Sequence, residues 1–244
     1  MQKQKMLEVE QKFCTSNLDD VLQKLSELNF EPAKNEIKFM DWYFDHEELL
    51  LCTKDCWLRY RHMSSDPENG SWQLKKGRKS LQSKVTVYEE LEGEEAIDVV
   101  KAILGDCSIS RGTEKETCDS ETMDGYEIPS IPISIAKYDL RPFARIETKR
   151  STWKKVASSS SENIVVDLDG TDFGYTVGEV ETVVHNDEDI EEAQKVVKGL
   201  IGDITGNEKD GAQALGKLET YLIANRPDVY EACISSGSMK KRYN

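Results

Sequence analysis

The sequence predicts an eight-stranded antiparallel β-barrel, a tunnel with a polar lumen and surrounding helices, in the α+β class. Charged and apolar residues alternate in several segments, and successive side chains of a strand point to opposite faces of a sheet. Several of these segments carry a pair of like charges two residues apart, as Glu8 and Glu10 do in one and Arg59 and Arg61 in another. Because like charges side by side are destabilising, these faces favour a closed barrel in which acidic strands hold cations and basic strands hold polyanions.

The individual elements follow from periodicity. Leu7 to Phe13 alternates and predicts the first strand, and apolar residues from Leu18 to Leu28 recur at helical spacing. The rest of the first half predicts strands at 36–44, 49–52, 57–63, 71–76 and 85–91, and a helix at 94–104. The second half predicts a strand pair within 143–156, a hairpin of 164–169 and 175–184, helices around 190–201 and 214–222, and a short last helix from 227. Residues 105–132 lack periodicity and are either a mobile flap or a simple insertion, and the serines at 158–161 predict a hairpin tip.

Size and composition favour a single domain and a cytoplasmic location. The 244 residues allow a single domain at 6–232 followed by a flexible tail at 233–244. The formal net charge of −14 argues against binding to nucleic acid or to an anionic membrane, so phosphate would need a local basic site. Six cysteines without a disulfide framework, a polar N-terminus and the lack of a long apolar run predict reduced thiols and a cytoplasmic protein without a membrane span. We expect a monomer that acts on a small molecule.

Carboxylates and bases of the alternating segments are the candidate site residues. The acids offer hard oxygen ligands suited to Mg²⁺, with Mn²⁺ as the alternative. They are Glu8, Glu10, Asp167, Glu179 and Glu181. No glycine-rich phosphate loop is present, so side chains would have to hold phosphate. The candidates for that are Lys12, Arg59, Arg61, Lys75, Arg150 and Lys217. Together the two sets predict a metal site for a terminal phosphoryl group, in which one carboxylate orients the attacking water.

Other reactive side chains favour structural roles. Cys52 and Cys56 have the spacing of half a zinc site, but no second pair or histidine cluster follows them. The three histidines have no neighbouring serine or cysteine arrangement that would indicate a nucleophilic triad. Trp57 lies two residues before Arg59 and therefore on the same strand face. It either packs in the core or stacks on a cationic or aromatic ring of the substrate.

Several of these motifs resemble a known family. The segment 8–13 is similar to the Glu-x-Glu-x-Lys signature of the CYTH superfamily, the triphosphate tunnel metalloenzymes. The resemblance continues through motifs at 57–61, 72–75, 88–91, 148–151, 153–154, 166–169, 172–175 and 178–181. Within the superfamily these motifs are similar to those of the animal thiamine triphosphatases, and they extend from Leu7 to about Tyr230. The chain departs from the pattern in its longer, polar 105–132 region, which bears on substrate access and selectivity.

The resemblance implies a reaction and a set of metal ligands. It implies a Mg²⁺-dependent hydrolase that converts thiamine triphosphate to thiamine diphosphate and phosphate inside an eight-stranded tunnel. By position, Glu8, Glu10 and Glu181 resemble the ligands of one metal ion. Asp167 and Glu179 resemble residues near a second one.

The resemblance also implies roles for the bases. All six candidate bases match triphosphate-binding residues, although Lys149 competes with Arg150 by strand parity. Trp57 matches an aromatic residue implicated in thiamine recognition. Glu181 and Lys75 are the residues predicted to take part in catalysis.

Other functions remain open at this point. An inorganic triphosphatase of the same superfamily would release phosphate from tripolyphosphate instead. A non-catalytic module would bind polyphosphate or a nucleotide without turnover. Adenylate cyclase activity, found elsewhere in the superfamily, would produce cyclic AMP from ATP.

Overall fold

A computed structural model of the chain describes residues 5–15, 17–78, 85–105, 122–155, 164–206 and 214–241. Within these, the chain divides into two compact units. The first comprises Met1–Phe39, Gly77–Glu90 and Glu147–Thr220, and the second comprises Met40–Lys76, Leu91–Ile146 and Tyr221–Asn244. The serine run predicted as a hairpin tip and residues 106–121 of the non-periodic region lie outside the described residues.

Strands dominate the described chain. They are β1 (Leu7–Phe13), β2 (Phe30–Pro32), β3 (Ile37–Asp45), β4 (Cys56–Met63), β5 (Asp66–Gly77), β6 (Thr86–Glu92), β7 (Thr122–Met123), β8 (Tyr126–Glu127), β9 (Arg141–Lys155), β10 (Ile164–Thr171) and β11 (Thr176–Val184). The main sheet has the order β10-β11-β1-β6-β5-β4-β3-β9-β2, and a further pairing of β10 with β9 closes eight of these strands into a ring. The predicted eight-stranded antiparallel barrel is therefore confirmed.

Helices accompany the strands. They are α1 (Leu18–Glu27), α2 (Glu94–Gly105), α3 (Ile133–Ala136), α4 (Ile190–Thr205), α5 (Lys217–Asn225) and α6 (Pro227–Ser236). Across the described ranges, no helix combines the length and apolarity needed to cross a bilayer.

In the first unit, β1 lies between β11 and β6 and pairs antiparallel with both. Its apolar residues Val9 and Phe13 belong to a buried cluster with Leu25 of α1 and Val197 of α4. Helix α4 contacts both β1 and β11. The charged side chains of β1 therefore occupy the face turned away from these helices.

In the second unit, β4 and β5 pair antiparallel, with Leu58 opposite Leu74. Both residues are buried in a cluster that includes Trp42 of β3 and Val100 of α2. Cys56 belongs to the same cluster, so the even-numbered residues at the start of β4 face the core. Alternation then assigns Trp57, Arg59 and Arg61 to the opposite face.

The short strand predicted at 49–52 is wrong. The segment forms a turn that leads into a 3₁₀-helix at Cys52–Lys54. The cause is Asp45, a carboxylate only 3% exposed. It accepts hydrogen bonds from the backbone N–H groups of Leu51 at 3.0 Å and Cys52 at 2.8 Å. Because these two N–H groups donate to a side chain, they cannot donate to a neighbouring strand.

Other element boundaries also differ from the predictions. The strand pair predicted within 143–156 is one fifteen-residue strand, β9, because no turn-forming residues interrupt it. The described part of the non-periodic region contains the small β7–β8 hairpin. Helix α6 continues to Ser236, so the first residues of the predicted tail at 233–244 are helical. The reason is that Cys233 is fully buried and Gly237 ends the helix in the left-handed conformation.

Candidate functional site

The acidic strand predicted around Glu8 carries its charges on one buried face in the first unit. Glu10 is 1% exposed and Glu8 is 7% exposed, which is unusual for charged residues. The register places Glu10 opposite Glu181 and Lys12 opposite Glu179. Carboxylates of two neighbouring strands are thus brought together on one surface.

Lys12 is the cation at the centre of this surface. Its Nζ lies 2.6 Å from Glu179 Oε1 and also forms an ion pair with Glu10. The ammonium group therefore bridges carboxylates of β1 and β11. This arrangement offsets part of their mutual repulsion, because an opposite charge at short range favours the ionised form of an acid.

Glu181 and Glu8 form a second pair of acids on the same surface. Burial, reinforced by the charges of Glu8 and Glu179 and by a hydrogen bond to Glu8, raises the pKa of Glu181 to about 10. A carboxyl group with such a pKa carries a proton at neutral pH.

Arg150 of β9 lies on the same side as these acids. It lies directly opposite Asp169 in the register. Its Nε and Nη2 donate to the two carboxylate oxygens of Asp169 at 2.7 Å each, and its Nη1 forms an ion pair with Asp167. Burial disfavours the charge of Arg150, but Asp169 and Asp167 outweigh it and raise the pKa of the guanidinium. Asp167 also accepts a hydrogen bond from Thr152 at 2.6 Å, while burial raises the pKa of this acid.

Lys217, at the start of α5, joins the same group of side chains. Its ammonium forms an ion pair with Asp169, and its Nζ lies 5.3 Å from the centre of the Phe39 ring. Arg150 contacts the same ring, also at 5.3 Å. Burial opposes the ionisation of Asp169, but Arg150 and Lys217 together lower its pKa below the ordinary value.

Lys149 and Arg150 lie on opposite faces of β9. Lys149 lies on the other face of β9, its side chain is 54% exposed, and it pairs with Glu36 at 2.7 Å. Arg150 lies on the face with the buried acids. Of the two, only Arg150 is brought to the surface formed by β1, β11, β10 and β9.

A separate arginine cluster lies in the second unit. Arg61 grips Asp41 with two hydrogen bonds of 2.6 Å, and Asp41 is 1% exposed. Arg59 donates from Nε to Gln73 Oε1 at 2.8 Å and lies 3.9 Å from Asp41. Tyr43 also bonds Arg59, and burial raises the pKa of this phenol. The two predicted arginines therefore share one buried acid.

Trp57 and Lys75 lie on the same pair of strands as this arginine cluster. They lie directly opposite each other on β4 and β5. Trp57 is 7% exposed but does not belong to the apolar cluster formed by its neighbours Cys56 and Leu58. Its indole N–H donates to Asp55 Oδ1 at 2.9 Å. The polar-face position predicted for Trp57 is thus observed.

Several residues of these clusters were not among the sequence candidates. They are Asp41, Tyr43, Gln73, Thr152 and Asp169. Asp169 had a sequence signal, since it follows Asp167 at the same two-residue spacing as the acids of β1. Asp41 had none, because a single acid between apolar residues gives no indication of an ion pair with a distant strand.

The acids of the first unit are the candidate metal ligands. Within the described ranges, no three carboxylate, thiol or imidazole groups already form a cage for one ion. The Glu8–Glu181 pair nevertheless suits a divalent metal ion that prefers oxygen ligands, because such an ion can be bound by one or two carboxylates together with water and substrate phosphates. The elevated pKa of Glu181 marks the position as short of positive charge. For zinc the fit is poor, since Cys52 and Cys56 are free thiols that lie elsewhere in the chain.

Comparison with known proteins places these features in a family. The family model described as CYTH domain matches residues 6–212. The chain belongs to the CYTH family. Thiamine-triphosphatase from Homo sapiens is 30% identical to this CYTH chain over 98% of it and 94% of that protein. Thiamine-triphosphatase from Macaca fascicularis matches with the same identity and coverage.

Solved structures show the same CYTH fold. The PH1012 protein from Pyrococcus horikoshii superposes with a TM-score of 0.51 and 15% identity, covering 85% of this chain and 96% of that one. A conserved hypothetical protein from Pyrococcus furiosus gives a TM-score of 0.51 at 17% identity, with the same coverage. These identities are low enough that the likeness concerns the fold alone. The superfamily predicted from the short motifs is confirmed.

Proposed function

We propose that this CYTH protein is a Mg²⁺-dependent hydrolase that converts thiamine triphosphate to thiamine diphosphate and phosphate. The observation that carries the proposal is the pairing of buried acids and bases in a chain of which 98% aligns with human thiamine-triphosphatase at 30% identity. Burying so many charges is costly for a protein, and a polyanionic substrate with a cation is the ligand that such a surface suits.

A divalent metal fits the acids of β1 and β11. CYTH triphosphate tunnel enzymes generally depend on a divalent metal. Glu8, Glu10 and Glu181 would hold it, with Asp167 and Glu179 close by. When bound, such an ion polarises the terminal phosphoryl group and neutralises charge on its oxygens. We propose Mg²⁺ because the ligands are hard oxygens and few in number, and Mn²⁺ would share this preference.

The bases bind the triphosphate in this proposal. A guanidinium has five N–H donors, so Arg61 can hold Asp41 and a phosphate oxygen at the same time. Arg59 and Arg150 can each bind a phosphate group through two N–H donors. Lys12 and Lys217 supply compact charges. The carboxylates that now pair with these bases keep them oriented before the substrate arrives.

Hydrolysis requires a water molecule in line with the terminal phosphorus. Attack forms a bond from the water oxygen to this phosphorus and breaks the bond between this phosphorus and the oxygen that bridges to the second phosphate. The leaving diphosphate keeps the electron pair of the broken bond, and the proton of the water passes to the phosphate products or to the solvent. In the proposal the ionised carboxylate of Glu181 accepts a hydrogen bond from the water and orients it. Lys75 donates a hydrogen bond to a phosphoryl oxygen, which offsets the negative charge there.

Trp57 is proposed to recognise the organic part of the substrate. Thiamine carries a positively charged thiazolium ring, and a cation above an indole face is attracted by the quadrupole of the ring. Trp57 presents its indole on the strand face that also carries Arg59 and Arg61. A substrate with phosphates and a cationic ring would therefore contact one strand, β4, with both parts.

The experiment is a substrate panel with the purified full chain, followed by phosphate release. We expect release from thiamine triphosphate with Mg²⁺ and none with EDTA. Release from inorganic tripolyphosphate but not from thiamine triphosphate would contradict the proposed substrate and favour an inorganic triphosphatase. Metal-independent binding without turnover would favour a binding module, and cyclic AMP formed from ATP would favour a cyclase.

Two neighbouring lysines of β5 provide a matched pair of variants. Lys75 lies opposite Trp57, whereas Lys76 lies opposite Cys56, a residue of the apolar face. We expect Lys75→Ala to lower kcat about a hundredfold, as the loss of one charge-stabilising donor does in other enzymes. Lys76→Ala should change it less than twofold. Equal effects of the two variants would refute the role of Lys75.

A further inference from the structure

A hydrogen bond orients the indole of Trp57. The donor is Nε1–H, the acceptor is Asp55 Oδ1, and the two atoms are 2.9 Å apart. Both residues belong to the second unit. An indole has a single N–H donor, so bonding its edge fixes the rotation of the ring about its side chain. The hydrogen bond to Asp55 therefore restrains the direction in which the ring face points.

Asp55 itself is held in an uncommon backbone conformation. Its φ is 57° and its ψ is 41°, in the left-handed region, where it ends the 3₁₀-helix Cys52–Lys54. Aspartate tolerates this region better than most residues, although glycine adopts it more readily. The conformation directs the Asp55 side chain towards the indole two residues later.

The turn below Asp55 is anchored in the core. The N–H of Asp55 donates to the carbonyl of Cys52 at 3.0 Å. The N–H groups of Leu51 and Cys52 donate in turn to the buried carboxylate of Asp45. Three links thus connect a buried acid, a 3₁₀-turn, a left-handed residue and the indole. A support of this kind limits the motion of the ring, which is what a stacking surface requires.

We propose that Asp55 is a positioning residue for substrate selectivity, because it holds the Trp57 ring in the orientation that receives the cationic thiazolium ring. The inference rests on the proposed hydrolysis of thiamine triphosphate. It predicts that replacing Asp55 weakens binding of the thiamine moiety but does not change the rate of triphosphate hydrolysis.

The test compares thiamine triphosphate with inorganic tripolyphosphate, which lacks the ring. Asp55→Gly removes the acceptor and accepts the left-handed backbone without strain. Asp55→Asn keeps an acceptor oxygen and tolerates the same conformation. We expect Asp55→Gly to raise KM for thiamine triphosphate about fivefold, the typical size of a cation–π contribution. The kcat and the inhibition constant of tripolyphosphate as a competitor should stay unchanged within twofold. Asp55→Asn should restore KM to within twofold of the natural protein.

A double variant shows whether the effect passes through the indole. Trp57→Phe keeps an aromatic ring but has no N–H to hold. In that background, Asp55→Gly should change KM for thiamine triphosphate less than twofold, because the two residues act as one unit. A fivefold change in that background would overturn the inference. An equal effect of Asp55→Gly on the KM for thiamine triphosphate and on the inhibition constant of tripolyphosphate would overturn it as well.

A measurement on the unaltered protein keeps the inference testable if Asp55→Gly does not fold. The chain has four tryptophans, so its indole N–H resonances in a ¹⁵N spectrum are few, and Trp57→Phe identifies the one from Trp57. We expect slow hydrogen exchange at this indole, and a shift on addition of thiamine diphosphate but not of tripolyphosphate. Rapid exchange at the rate of a free indole would overturn the inference. Absence of thiamine triphosphate hydrolysis by the natural protein would instead contradict the proposed function.

Discussion

Replacement of Glu181 by glutamine is expected to abolish turnover and at the same time to stabilise the metal-free protein. Folding raises the pKa of this carboxyl group from an ordinary value of 4.5 to about 10. The contribution of this group to the free energy of unfolding is therefore fully present below pH 4.5. It is lost as the pH rises towards 10. Glutamine mimics the protonated acid, and its amide can donate a hydrogen bond to Glu8. The free energy of unfolding of the variant should therefore not fall in this pH range through titration of residue 181.

The magnitude follows from the linkage between protons and folding. Above pH 4.5 the unfolded chain gains about 1.4 kcal/mol per pH unit relative to the folded chain, which keeps its proton. At pH 7 the free energy of unfolding of Glu181→Gln should thus exceed that of the natural protein by up to about 3 kcal/mol. The corresponding rise in Tm is up to about 10 °C for a chain of this length. At pH 5 the difference should shrink to about 1 kcal/mol.

The assay is thermal unfolding in EDTA at the two pH values, together with phosphate release in Mg²⁺. Activity of Glu181→Gln should fall at least about a hundredfold. Glu179→Gln is the matched control, because it removes an acid that already has an ion pair with Lys12. It should not give a comparable gain in Tm. A Tm of Glu181→Gln at or below that of the natural protein at pH 7 would refute the reasoning, as would full activity.

Other variants probe the packing around the site. Arg150→Met should lower the free energy of unfolding by about 3 to 5 kcal/mol in chemical denaturation, because it leaves two buried aspartates without their counter-ion. Lys149→Met, on the exposed face of the same strand, should change it by less than about 0.5 kcal/mol, and equal losses would contradict the assigned faces. Gly178→Ala should cost about 1 to 3 kcal/mol, since an added Cβ would overlap the Phe13 ring. Gly170→Ala meets no neighbouring atom and serves as its control; a similar loss there would count against this explanation.

Much of the fold could be predicted because strand alternation is a local property. The even positions of β1 carry its charges and its odd positions, apart from Gln11, are apolar, and the two sets lie on different faces in the structure. The segment 49–52 was mispredicted for a physical reason. Its apolar run resembles a strand, but its amides bond Asp45, a residue several positions earlier. A hydrogen bond between a side chain and a distant backbone group leaves no periodic trace.

The candidate site shows the same limit. The spacing of like charges indicated which acids and bases share a strand face. Arg59 and Arg61, which it assigned to one face, both lie close to Asp41 in the structure. Spacing could not indicate which acid pairs with which base, because that depends on the register of strands far apart in the chain. Arg150 lies opposite Asp169 only because β9 and β10 align there. The choice of Arg150 over Lys149 required this register.

The two compact units alternate along the chain, and each consists of three separate stretches. A ribosome that synthesises this protein from its first residue completes the first unit only at Thr220, after most of the second unit has already emerged. Neither unit can therefore finish folding before the other has been largely made. For the same reason, no single cut in the chain releases either unit intact, so deletion experiments on this protein should be replaced by point substitutions.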